Sequence, residues 1–66
     1  MTVAKVIEIS ADSTQSFEDA IQRGIQEAEK SLKNVRGAWV AEQKVIVEGG
    51  KVTSYRVNMR VSFVLK

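Results

Sequence analysis

The stretch Thr53-Ser-Tyr-Arg-Val-Asn-Met-Arg-Val-Ser-Phe-Val-Leu65 alternates apolar and polar side chains more regularly than any other part of the chain. This period of two is typical of a β-strand with one buried face. About thirteen residues at roughly 3.3 Å each give a strand of about 43 Å. A compact chain of 66 residues has a radius of gyration of roughly 11 Å and spans only about 28 Å. The strand is therefore predicted to extend beyond its own domain, which favours assembly, because other copies of the chain would cover it.

The length and the composition of the chain also favour assembly. The 66 residues make a single domain, residues 1–66, and a chain of this length buries only about 60% of its unfolded surface. It contains no cysteine and no histidine, which excludes disulfides and metal sites with thiolate or imidazole ligands. Oligomerisation is the remaining source of stability. There is no leader-like segment and no apolar run of about 18 residues, so we expect a cytoplasmic protein without a membrane partner.

A helix is predicted to begin after Ser16 and to end near Lys33. Ser16 stands three residues ahead of Asp19 in an approximate capping box. Apolar residues then recur every three or four positions, which is typical of an amphipathic helix. Gly24 lies near this apolar stripe, where it costs about 1 kcal/mol relative to alanine, so we expect a close backbone approach there. Gly37 is expected to take a positive φ in the turn that follows the helix.

Two more strands are predicted. Val3–Ile9 is rich in β-branched residues, and Ala38–Glu48 is a second candidate strand. Simple alternation would place Trp39 on the same face of that strand as Gln43. Gly49-Gly50 favours a hairpin turn into the last strand. The order β-α-β-β predicts an α+β fold, with a three-stranded antiparallel sheet wrapped on one amphipathic helix.

Little in the sequence indicates catalysis. Without histidine or cysteine there is no Ser-His or Cys-His pair, and there is no glycine-rich phosphate loop. We therefore expect no enzyme and no catalytic residues. Binding is more plausible, with Trp39 stacking on a planar ligand and the arginines of the last strand donating hydrogen bonds. The alternatives are that Trp39 packs in a core or interface and that Arg56 is a salt-bridge residue.

Four stretches in this order give the chain a resemblance to the dodecins, small flavin-binding proteins, over essentially its whole length. The stretches are Val3-Ala-Lys-Val-Ile-Glu-Ile9, Ser16-Phe-Glu-Asp-Ala-Ile21, Asn34-Val-Arg-Gly-Ala-Trp-Val-Ala-Glu-Gln43 and Tyr55-Arg-Val-Asn-Met-Arg-Val-Ser-Phe-Val-Leu65. The resemblance implies a three-stranded antiparallel sheet wrapped partly around one helix. It also implies twelve copies closed into a hollow sphere of cubic symmetry.

The resemblance further implies that flavins, such as riboflavin or FMN, lie in pairs at two-fold contacts between subunits. In the family, tryptophans at the start of the second strand sandwich the flavins, and a glutamine of the last strand hydrogen-bonds the ring. Here Gly37 occupies the tryptophan position, and Trp39 follows about 7 Å further along the strand. Arg56 occupies the glutamine position, and Glu42 lies where some relatives carry an acidic residue near the ribityl chain or a cation. The predicted flavin-binding residues are Trp39, Arg56, Gly37, Glu42 and Gln43, and no metal ligand is predicted.

The leading hypothesis is therefore a non-enzymatic homododecameric shell that stores or sequesters flavin, with Trp39 stacking on the ring and Arg56 at its polar edge. The alternative is a similar assembly that binds calcium or coenzyme A, or is purely structural, with Arg56 paired to Glu42 or Glu48. A nucleic-acid partner is not expected, because the net charge is only +2. The polar face of the last strand also carries no aromatic residue for stacking on bases.

Overall fold

The four predicted elements are all present in the computed structural model, which describes residues 3–65. They are β1 (Ala4–Ser13), α1 (Phe17–Ser31), β2 (Val35–Glu48) and β3 (Lys51–Val64). The three strands form one sheet in the order β1-β3-β2, and both neighbouring pairs are antiparallel. The predicted α+β fold with β-α-β-β order is therefore confirmed.

The strand β3 is the centre of the sheet, because it pairs with β1 along one side and with β2 along the other. Its apolar positions Val57, Met59 and Val61 are each 0% exposed, as the alternation predicts. The strand begins at Lys51 and ends at Val64, slightly shifted from the predicted bounds. This central position explains why its pattern is the clearest in the sequence: one face is buried and the other is not.

The strand β1 is longer than predicted, since it continues past Ile9 to Ser13. Ser10 pairs with Asn58, and Ser13 pairs with Tyr55. Residues 10–13, which follow the predicted strand, are therefore the second half of a strand whose partner residues lie more than forty positions away in the sequence.

The helix α1 begins at Phe17 with Ser16 as its N-cap, and the Ser16 Oγ accepts a hydrogen bond of 2.9 Å from the Asp19 N–H. The reciprocal half of the predicted capping box does not form. The Asp19 carboxylate instead accepts hydrogen bonds of 2.6 Å from Ser13 Oγ and from Arg23 Nε. These two bonds, that from Ser13 first, lower the pKa of Asp19 below its ordinary value of 3.8. Ser13 is 6% exposed, and its Oγ also accepts a hydrogen bond of 2.9 Å from the Gln15 N–H.

The turn after α1 differs from the prediction. Asn34, rather than Gly37, takes the positive φ, at 63°. Asparagine tolerates this left-handed conformation better than other residues with a Cβ atom. Gly37 lies inside β2, which begins at Val35 rather than at Ala38.

The core lies between α1 and the side of the sheet formed by β1 and β3. Gly24 is where the two layers approach closely. A Cβ atom at this position would lie 2.6 Å from Met59 Cε and 3.1 Å from Ala11 Cβ, which confirms the expected backbone approach. The Phe17 and Tyr55 rings pack edge to face with centroids 5.2 Å apart. The core consists of Ala20, Val57 and Met59, with Ile9, Ala11, Phe17 and Ile21 packed against it.

The hairpin of β2 and β3 extends beyond the rest of the domain. Its turn has positive φ at both Gly49 (59°) and Gly50 (77°), as a type I′ turn requires. β1 pairs with β3 only as far as Tyr55, so residues 51–54 of β3 pair with β2 alone. The domain measures 51 × 19 × 14 Å with a radius of gyration of 13.5 Å, against roughly 11 Å for a compact chain of this length. The sequence prediction that the strand extends beyond its domain is thus confirmed.

Apolar side chains are exposed on this hairpin and along β2. Val45, Val47 and Val52 are 39%, 56% and 49% exposed. α1 packs on β1 and β3, so Val40, on the helix side of β2, also stays 38% exposed. Within residues 3–65, no helix is long and apolar enough to cross a lipid bilayer.

Candidate functional site

The side of the sheet that faces away from α1 carries a lattice of polar and aromatic side chains, which we call the open face. The strand register arranges these side chains in three rows that cross the sheet at right angles to the strands. From the hairpin end, the rows are Lys44, Arg56 and Asp12; Glu42, Asn58 and Ser10; and Trp39, Arg60 and Glu8.

Trp39 lies at the β2 end of the third row and is 50% exposed. It sits on the outer strand of the sheet, and its cross-strand partner is Arg60. An indole in this position is not a core residue, because the described part of the chain places no second layer over the open face. Of the two roles that the sequence leaves open for Trp39, packing in the core of its own chain is therefore excluded.

A β-bulge decides which residues share the face of Trp39. The register with β3 shifts between Val40 and Glu42, because a bulge places one extra residue, Ala41, in the strand. The simple alternation predicted from the sequence is therefore wrong after Ala41. Glu42 pairs with Asn58 on the open face, whereas Gln43 pairs with Val57 on the helix side. The structure thus brings Glu42 to the same face as Trp39 and separates Gln43 from both.

Arg56 is held by a carboxylate of β1. Its Nε and Nη2 donate hydrogen bonds of 2.7 and 3.0 Å to the two carboxylate oxygens of Asp12. Within one chain, neither Glu42 nor Glu48 is therefore the partner of Arg56; a pairing between subunits stays a prediction. These bonds lower the pKa of Asp12 and raise that of Arg56. Arg56 lies four residues from Arg60 along β3, so it is about 13 Å from the row of Trp39.

Glu42 and Gly37 flank Trp39 along β2. The Glu42 Oε1 accepts a hydrogen bond of 2.9 Å from Asn58 Nδ2, which fixes the carboxylate on the open face. Gly37 pairs with Ser62 next to the row of Trp39, and a Cβ atom there would meet only Ser62 Oγ, at 3.5 Å. The missing side chain therefore leaves a shallow notch beside the indole.

The site also contains Arg60 and Glu8, which are not among the five predicted flavin contacts. Of the two, only Arg60 is expected from the sequence to bind a ligand, as one of the arginines of the last strand. Arg60 Nε lies 3.8 Å from Glu8 Oε2, with the two side chains 51% and 63% exposed. Arg60 is on the polar side of β3 in the sequence pattern, but its position opposite Trp39 depends on the register across the bulge. No local signal in the sequence reveals that register.

A second concave region lies at the outer edge of β1, where a cavity of about 400 Å³ opens beside α1. It opens mainly on the helix side of the sheet, because Ile9 and Ala11 of its wall point to the helix layer, and Ser10 at the β1 end of the open face borders it. For metal binding, residues 3–65 contain no group of three or more acidic, cysteine or histidine side chains close enough to hold an ion.

Fold and surface together define a small α+β domain with one covered and one open sheet face. The dodecin family model matches residues 3–66 of the chain. A calcium dodecin of Mycobacterium tuberculosis is 36% identical over 66 residues, which cover 100% of this chain and 93% of the relative. The chain therefore belongs to the dodecin family.

Solved structures agree with this assignment. A dodecin from Streptomyces davaonensis superposes with a TM-score of 0.94 at 28% identity, covering 98% of this chain and 96% of that one. The crystal structure of the calcium dodecin of Mycobacterium tuberculosis superposes with a TM-score of 0.85 at 36% identity, covering 97% of this chain and 91% of that one.

Proposed function

We propose that this protein assembles from copies of itself into a closed dodecameric shell and binds flavin, riboflavin or FMN, without chemical turnover. Storage or sequestration of the flavin would be the result. The observation that carries the proposal is the half-exposed indole of Trp39 on the open face, at the outer edge of a sheet. An aromatic side chain there offers a stacking surface that a second copy can complete.

The assembly is supported by the apolar surface that a single chain leaves uncovered. Val47 and Val52 are about half exposed on the projecting hairpin, and an apolar strand end of this kind is an aggregation hazard in a monomer. Val40 and Val45 on the helix side of β2 add to the same surface. Burial against neighbouring copies removes this surface from water and supplies the stability that a chain of this length lacks.

The ligand contacts follow from the rows of the open face. Trp39 stacks on the isoalloxazine ring beside the notch at Gly37, and Glu42 is the carboxylate nearest to the ribityl chain. Arg56 is about 13 Å from the row of Trp39 in its own chain, so we assign its contact with the polar edge of the ring to the copy across the interface. Two of its N–H groups bind Asp12, and the others remain available. Gln43 lies on the helix side and is left out of this arrangement.

The test is a titration of flavin fluorescence with the purified protein. An indole stacked on the flavin ring quenches its emission, so wild-type protein should extinguish riboflavin fluorescence in a saturable manner. Trp39→Ala should abolish most of the quenching, and Trp39→Phe should retain part of the affinity because it keeps an aromatic surface. Unchanged riboflavin emission at a large excess of assembled protein would exclude flavin binding.

Calcium binding is a second candidate, favoured by the identity of 36% to the calcium dodecin of Mycobacterium tuberculosis. Calcium takes about six to eight oxygen ligands. The described part of a single chain gathers no group of three acidic side chains, so the donors do not fit a site within one subunit. Each row of the open face contributes only one carboxylate, from Asp12, Glu42 or Glu8.

Calorimetric titration of the chelator-treated protein with calcium chloride tests this candidate. A saturable heat signal that Glu42→Gln reduces, together with absent flavin quenching, would favour calcium over flavin. Heat indistinguishable from dilution, in a protein that quenches riboflavin, would exclude calcium.

A further inference from the structure

Trp39 has a cation, Arg60, beside it on β3 and the notch at Gly37 next to it along β2. Arg60 is the direct cross-strand partner of Trp39, and directly opposed residues have Cβ atoms about 4.5 to 5.5 Å apart. The next pair on the same face, Gly37 and Ser62, provides an empty position and a hydroxyl group. A ligand ring that stacks on Trp39 therefore has a guanidinium, a hydroxyl and free space within reach of its substituents.

The side chain of Arg60 is freer to bind a ligand than that of Arg56. Arg56 donates two short hydrogen bonds to Asp12 and its side chain is 37% exposed. Within residues 3–65, the only ionic or hydrogen-bonded side-chain contact of Arg60 is at 3.8 Å, to Glu8, and its side chain is 51% exposed. A contact of that length is beyond ordinary hydrogen-bond distance. A bidentate anion can therefore displace Glu8 without breaking a formed hydrogen bond.

We propose that Arg60, with Ser62, binds an anionic substituent over the notch at Gly37, and that the ligand of this site is a planar aromatic compound carrying a phosphate. The inference rests on the proposed function, because it requires a ring on Trp39. Guanidinium and phosphate match in geometry and form charge-assisted, often bidentate hydrogen bonds. Ser62 Oγ donates a hydrogen bond of 3.3 Å to the Gly37 carbonyl, and its hydroxyl can rotate to donate to a phosphate oxygen instead.

Two nearby carboxylates affect where a phosphate can bind beside Trp39 and how strongly Arg60 holds it. Glu8 competes for Arg60 from the β1 side. Glu42, in the next row and bound to Asn58, repels an anion on the hairpin side of Trp39. The space beside Gly37, away from Glu42, is therefore where a phosphate is least opposed.

The experiment compares riboflavin with FMN, which share the ring system and differ by the phosphate, in quenching titrations with the assembled protein. Wild type should bind FMN on the order of tenfold more tightly than riboflavin at low salt, and the ratio should fall as salt screens the contact. Arg60→Gln should weaken FMN binding and leave riboflavin binding nearly unchanged, which brings the ratio of the two affinities close to one. Arg60→Lys should keep part of the preference for FMN. Glu8→Gln should increase the ratio, because it removes the competing carboxylate.

The matched control is Lys30→Gln, which deletes one positive charge from the exposed surface of α1 on the other side of the molecule. It should leave the ratio of FMN to riboflavin affinity at the wild-type value. Equal wild-type affinity for the two flavins, or an equal effect of Arg60→Gln and Lys30→Gln, would overturn the role of Arg60 while leaving flavin binding intact. If the wild type quenches neither flavin, the proposed function fails and this inference fails with it.

Discussion

Replacing Gly24 with alanine tests how closely α1 approaches the sheet. The added Cβ atom would lie 2.6 Å from Met59 Cε and 3.1 Å from Ala11 Cβ. Met59 is fully buried, so its flexible terminal methyl group has to move within a packed core, and Ala11 Cβ can move only together with the backbone of β1. Overpacking of this kind costs about 1–3 kcal/mol, whereas alanine gains about 1 kcal/mol over glycine in helix propensity. We expect Gly24→Ala to lower the free energy of unfolding by about 1 kcal/mol.

The substitution Met59→Leu isolates the cause, because leucine lacks the terminal methyl group that the new Cβ would meet. Met59→Leu alone should cost less than about 1.5 kcal/mol. In that background, Gly24→Ala should cost less than in the wild type, because the close contact that remains is that of 3.1 Å with Ala11 Cβ. The difference between the two costs is the coupling energy, about 1 kcal/mol. Urea unfolding of the four proteins at one fixed concentration measures this cycle. Equal destabilisation by Gly24→Ala in both backgrounds would refute the assigned clash with Met59.

Four further predictions concern the helix start, the notch and the hairpin. Ser13→Ala should cost about 1–3 kcal/mol in urea unfolding, since it removes a buried hydroxyl that bonds Asp19 and a backbone N–H, and an equal cost for exposed Thr14→Ala would contradict this. Because the pKa of Asp19 is lowered on folding, the unfolded state takes up more protons as the pH falls below about 4. Stability should therefore decline there in thermal melts, less steeply in Asp19→Asn, and identical pH profiles would count against the carboxylate. Gly37→Trp should fold, since a Cβ meets only an ordinary contact, and should bind riboflavin more tightly than wild type; weaker binding would argue against this face as the flavin site. Val47→Asp should lower the native mass in sedimentation, and an unchanged mass would show that the hairpin does not contribute to assembly.

The sequence was sufficient to predict the elements and their order. The strand β3 is fully buried on one face at Val57, Met59 and Val61, so its alternation there is visible without any structure. The N-cap at Ser16 and the turn at Gly49-Gly50 depend on local hydrogen bonds and local φ angles. Such features are encoded within a few residues and can be predicted from them.

The arrangement of the open face could not be predicted in the same way. The bulge at Ala41 reverses the faces of β2 beyond it, and no residue type marks its position in the sequence. The Arg56 partner is Asp12, 44 residues away, rather than a residue of the neighbouring hairpin strand. Both features are set by the register between strands, which depends on packing across the whole sheet.

The most direct test is sedimentation of the protein with riboflavin, recorded both at the protein absorbance and at the visible absorbance of the flavin. The account predicts a single particle of about 88 kDa, twelve times the 7.3 kDa of one chain, with flavin moving at the same velocity. The flavin should be lost from the particle in Trp39→Ala while the particle itself remains. A stable monomer of 7.3 kDa with flavin left behind in solution would contradict both the shell and its binding site.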